Sequence, residues 1–186
     1  MPATMIEGLL SGLGHPLIGI DHFLFIAGAG VLAAKFERGY ILPLVFVFAS
    51  LFATLVRHLG ADAGLGELPV AASLVVLGAM MLGASSTPPG RREESNAAPR
   101  EGVIGLLFLL AGTIHGHALG EAIVGAEQTP LVAYLVGLAV IQSATGLAAW
   151  RATVWLAERR PQLPLQKIAG AVVGVAGLVF GGMAAL

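Results

Sequence analysis

The sequence predicts an all-α, polytopic membrane protein of six transmembrane helices with both termini on the non-cytoplasmic side. Three observations carry this. The 186 residues are 56% hydrophobic and only 11% charged, against about 25% charged in ordinary soluble domains. Mean hydropathy is +0.87. The apolar residues fall into six runs, each near the roughly 20 residues needed to cross about 30 Å of hydrocarbon. Glycine contributes 26 residues and aromatics 6%, which suits helices packed closely in lipid through small side chains.

The runs follow in order. The first covers about 16–35, with Pro16 expected at a helix-starting position; residues 4–14 read as a short interfacial helix before it. The second covers about 40–58, the third 67–85, the fourth 102–121, the fifth 130–156 and the sixth 165–186. The fifth is long enough to tilt or protrude. Residues 87–100, rich in Pro, charged residues and Ser/Asn, read as a flexible linker between two groups of three spans. The whole chain reads as one transmembrane domain. Residues 1–13 lack a basic n-region and contain Glu7, so the first span is expected to act as its own insertion signal.

Orientation follows from the basic residues. Lys35 and Arg38 follow span one, Arg91, Arg92 and Arg100 follow span three, and Arg151, Arg159, Arg160 and Lys167 lie around the end of span five. The remaining connections and the termini hold only Arg57, so the basic connections are expected in the cytoplasm and both termini away from it. Tyr40, Trp150 and Trp155 read as interface anchors. A net charge of −1 gives no reason to propose nucleic acid. Cysteine is absent, which excludes disulfides and thiolate sites.

All five histidines then fall toward the outer face. His15 and His22 lie at the start of span one, His58 at the end of span two, and His115 and His117 near the end of span four. Asp21 and Glu121 share that level. Ionisable groups inside a membrane segment are costly and mark ion pathways or proton relays. Seven residues separate His15 from His22, about two turns and hence one face of a continuous helix. His117 and Glu121 are four apart and adjacent on a face, while His115 points away. Gly112, Gly116 and Gly120 form a stripe that admits another helix, and span one is expected to fill it. The candidate metal ligands are therefore His15, Asp21, His22, His115, His117 and Glu121. Imidazoles with carboxylates suit nickel, cobalt, zinc or copper. Gln142, Ser143 and Thr145, in mid-span, read as interhelical hydrogen bonders or path-lining groups.

At these residues the chain resembles the HupE/UreJ family of membrane proteins. His15-Pro16-x-x-Gly19-x-Asp21-His22-x-Leu24 is similar to the family's HPxxGxDHxL signature, and His115-Gly116-His117-Ala118-x-Gly120 to its HGxAHGxE segment, followed by Gly125-Ala126-Glu127 and Pro130. Leu119 stands where the family has a second histidine, and Glu121 falls one place early. The resemblance implies a secondary uptake permease for nickel, or cobalt, with His15, Asp21, His22 and His115 carried over as site residues. The divalent metal is then substrate, and the partners are the lipid bilayer and a second copy or larger membrane complex. The alternative reading is a non-transporting accessory subunit, its glycine stripes serving an external helix. An enzyme is not expected: there is no HExxH pair and no run of His-x-x-His-His boxes.

Overall fold

The computed structural model describes residues 2–64, 66–83 and 97–186, of which 97–100 by backbone alone. All regular elements among them are helical: α1 (Met5–Ile18), α2 (Ile20–Ala33), α3 (Ile41–His58), α4 (Glu67–Gly83), α5 (Ala97–Gly120), a 3₁₀ turn (Glu121–Ile123), α6 (Gln128–Arg159) and α7 (Leu165–Ala184). The expected linker lies outside the described residues up to 96, and its last four residues begin α5.

Four helical segments are long and apolar enough to cross a membrane: α3, Glu101–Ile123, α6 and α7. Helices α1 and α2 make a fifth if taken as one bent span. Helix α4 is apolar but has 17 residues, about 26 Å, the short limit for crossing. Helix α6 has 32 residues, about 48 Å, so in a bilayer it must tilt or project.

The first span departs from expectation. Pro16 does not start a helix; it lies inside the last turn of α1. There it removes an N–H and crowds the carbonyl four residues back. The helix ends two residues later, and α2 leaves at 76°. Gly19 is the joint, serving both as C-cap of α1 and N-cap of α2. Its N–H donates to His15 O at 2.9 Å, while the Asp21 carboxylate accepts the His22 N–H at 2.9 Å, satisfying one orphan donor of the new helix.

Packing proceeds by close helix pairs. α1 lies on α6, α3 on α5 and α4 on α7, with α2 against α6, α4, α7, α1 and α3 at the centre. Glycines permit each pair. A Cβ on Gly12 would strike the Tyr134 carbonyl, one on Gly116 the Ser50 carbonyl, and one on Gly78 the Gly174 backbone at 2.6 Å. The Gly112–Gly116–Gly120 stripe is therefore filled by α3, not by the first span as expected, and Gly170, Gly174, Gly177 and Gly181 of α7 are filled by α4. Phe25, Ile26, Phe46, Leu74, Leu77, Met81 and Phe108 build the main apolar core around α2. The outward faces stay apolar, with Phe48, Phe52, Val132, Val136, Val140, Val175 and Leu178 all exposed. Such a surface has lipid, not water, as its solvent.

Candidate functional site

The break at Gly19 places His15 in the last turn of α1 and Asp21 and His22 in the first turn of α2. Broken helices at membrane depth occur where protein or a polar cavity covers the freed backbone, and transporters build ion sites there. His15 and His22 approach to 6.4 Å between ring centroids. They do so through the bend, not through the shared helix face expected from their spacing. Gly19 makes the approach possible: a Cβ there would lie 2.9 Å from His22 Cδ2 and 3.3 Å from Asp21 Oδ1.

A hydrogen-bond chain, half-buried at Ser73 and buried at the histidines, fixes the state of His22. The Val70 carbonyl can only accept, and Ser73 donates its hydroxyl to it at 2.7 Å. Ser73 Oγ must then accept at its other contact, so His115 Nε2–H donates to it (2.8 Å). His115 Nδ1 is left with a lone pair, and His22 Nδ1–H donates to it at 2.7 Å. The free lone pair of His22 is therefore on Nε2. The same logic applies to His15. Tyr134 spends its one proton on the Leu119 carbonyl (2.9 Å), so its oxygen accepts from His15 Nδ1–H (3.2 Å). His15 also keeps its Nε2 lone pair. Metal-binding histidines characteristically donate one ring N–H to a second partner and offer the other nitrogen.

With metal–nitrogen bonds of about 2.0–2.1 Å, two imidazoles at roughly 90–110° on one ion have centroids about 4.5–5 Å apart, so the rings, 6.4 Å apart here, must draw together to share one ion. His115 is fully buried between Phe25 (4.7 Å) and Phe46 (5.5 Å). It orients His22 and is closed to solvent.

His117 belongs to another group. Its Nε2 lies 3.2 Å from Asp62 Oδ1 and 3.3 Å from the Ala63 amide nitrogen, in the loop after α3. Protonated, that nitrogen donates to the carboxylate; neutral, it accepts the amide N–H. Arg57 holds the other oxygen of Asp62 at 2.6 Å. The Arg57 hydrogen bond, then the Gly64 amide and His117, pull the Asp62 carboxyl down to about 2. The split between His115 and His117 follows from helix geometry. With the glycine face of α5 against α3, positions 115 and 117 project about 160° apart, one toward α2 and α4 and the other toward the loop. Glu121 is exposed in the 3₁₀ turn. His58 Nδ1–H donates to the Ile123 carbonyl at 2.9 Å, tying α3 to that turn. Among the described residues, no group of three or more His, Asp or Glu is placed to hold a metal ion.

Ser73 and Tyr134, which set the two tautomers, were not singled out in the sequence. One hydroxyl within an apolar helix looks like any interhelical hydrogen bonder, and only the fold says which histidine it meets.

The HupE / UreJ protein family matches residues 2–180. No curated protein matches the chain, and no solved structure does. The match spans nearly the whole chain and takes in both histidine segments, so this chain belongs to the HupE / UreJ protein family.

Proposed function

We propose that this protein is a multi-pass permease of the bacterial inner membrane that takes up a divalent transition-metal ion, nickel first and cobalt second. The family is associated with uptake of these metals. The observation that carries the reading is the Val70–Ser73–His115–His22 chain, which leaves Nε2 of His22 as a lone-pair donor beside His15 at a helix break.

The ion binds His15 Nε2 and His22 Nε2, with Asp21 as charge partner and water filling the rest of its shell. His115 positions His22. Asp21 offsets the positive end of the α2 dipole, which would otherwise repel a cation. Nitrogen and oxygen donors without thiolate suit nickel and cobalt, and two protein nitrogens are few enough to let the ion go. His117 and Asp62 hold residues 59–64 at this end of the bundle, with Glu121 nearby in sequence on the same rim. In this reading the chain crosses six times, α4 as a short crossing and α1–α2 as a broken one, with both termini and this end outside and the basic connections inside.

Uptake of nickel into vesicles containing only the purified protein tests this. The expected result is saturable uptake that falls at least about tenfold in His22→Ala, in keeping with removal of a metal ligand or its support. Metal binding without uptake would instead mark an accessory subunit. Neither binding nor uptake of nickel or cobalt by the unaltered protein would overturn the reading.

A further inference from the structure

Gln142 sits in the middle of α6 and is fully buried. Its neighbours Ser143 and Thr145 are only partly so. The Gln142 amide nitrogen donates to Ser50 Oγ on α3 at 3.1 Å. Its oxygen is also buried and has no hydrogen-bond partner. A buried acceptor without a donor is an unfavourable arrangement that native proteins rarely leave without a reason. The free atom is an acceptor, so it suits a cation or a cation's water and not an anion.

The place of this amide in the bundle matters as much as its chemistry. Ser50 and Thr54 lie one turn apart on α3, and both are fully buried. Thr54 donates its hydroxyl to the Gly116 carbonyl at 2.8 Å, the residue next to His115. On α6, Gln142 is two turns, about 12 Å, from Tyr134, which holds His15. Polar groups on two helices thus lead from the histidines to this oxygen. One turn further, α2, α3 and α6 close on one another: a Cβ on Gly30 would strike the Gly146 carbonyl, and one on Gly146 would lie 2.8 Å from Pro43 Cβ.

We propose that the Gln142 amide oxygen, aimed by Ser50, is an inner station for the transported divalent cation between the histidine nitrogens and the Gly30–Gly146 contact. This rests on the permease reading above. Passing from imidazole nitrogen to a neutral oxygen weakens the hold on nickel or cobalt, which favours onward release, and the partly hydrated ion satisfies the otherwise unpaired acceptor.

The test compares nickel uptake into vesicles with nickel bound per chain in detergent, for the unaltered protein, Gln142→Leu, Gln142→Glu and His22→Ala. Gln142→Leu should bind nickel normally but transport it about tenfold more slowly, the scale of one lost contact to a charged group. Gln142→Glu should retain more metal per chain and also transport slowly. Normal uptake by Gln142→Leu, with uptake abolished in His22→Ala, overturns the inner station alone and leaves the amide oxygen to a structural water. If Gln142→Leu does not fold, as judged by its melting curve, Gln142→Glu decides: unchanged metal content and rate overturn the station. An unaltered protein that neither binds nor moves nickel or cobalt overturns both readings together.

Discussion

Ser73 determines which nitrogen of His22 is available. Replacing it with alanine removes the acceptor of the His115 Nε2–H and leaves a buried donor unsatisfied, at a cost of about 1–3 kcal/mol. His115 escapes that cost by moving its proton to Nδ1, and His22 must then turn its own lone pair toward it. Ser73→Ala is therefore expected to weaken nickel binding by about 10–100-fold and to shift the His22 side-chain nitrogen resonances to the other tautomer. Weakened binding with unchanged resonances would show that Ser73 matters only for packing. Asp62 offers a pH-dependent counterpart. Its carboxyl is held at about 2 against an ordinary 3.8, a lowered value that favours the folded loop. That contribution is complete above 3.8 and is lost as pH falls through about 2. The Gly64 amide donates to Asp62 Oδ1 at 2.9 Å, so its resonance should titrate with a midpoint near 2, moving toward 4 in Arg57→Ala.

Among the elements, the α1–α2 break is the one on which the site depends. The spacing of His15 and His22 on a continuous helix leads to the right neighbours by the wrong geometry. Pro16 weakens the end of α1, and Gly19 completes the break because a side chain there collides with the His22 ring and the Asp21 carboxylate. Gly19→Ala should leave the fold intact, since the tightest neighbour is the His22 ring and the His15 carbonyl lies at 3.3 Å, where a few tenths of an ångström suffice, yet reduce nickel affinity; calorimetric titration measures this. The contact of α5 with α3 is stricter. Gly116→Ala pushes against the Ser50 carbonyl, a backbone atom that cannot turn aside. The expected loss is about 1–3 kcal/mol, as for overpacking in a tight core, read as a lower melting temperature in detergent.

For the whole molecule, the tight pairs leave α2 enclosed and put the polar groups inside an apolar shell. Gly112, Gly116 and Gly120 of α5 and Gly170, Gly174, Gly177 and Gly181 of α7 are occupied internally, which removes the main reason to expect an external helix on those faces. The distribution of Lys and Arg makes a separate prediction about orientation. Reporter domains fused after Leu186 and inserted within residues 87–96 should report opposite sides of the membrane, the C-terminal one outside. Both reporters on one side would contradict the six-crossing arrangement.

Hydropathy and glycine content made the helical, membrane-spanning character readable from the chain, because burial in lipid demands long apolar runs regardless of how helices pair. The approximate bounds of α3, α4, α6 and α7 follow from the same demand, and the motifs around His22 and His115 were enough to place the chain beside its family. Pairing was another matter. Small residues on α5 say that something comes close but not which helix, so α3 rather than the first span had to emerge from three-dimensional packing. That His115 and not His117 meets His22 has the same origin: two residues apart on a helix, they face different ways, and only the choice of partner helix decides which face meets His22. Tautomers, the Gly19 bend and the unpaired Gln142 oxygen depend on contacts between residues up to 119 positions apart, and such contacts exist only once the bundle has formed.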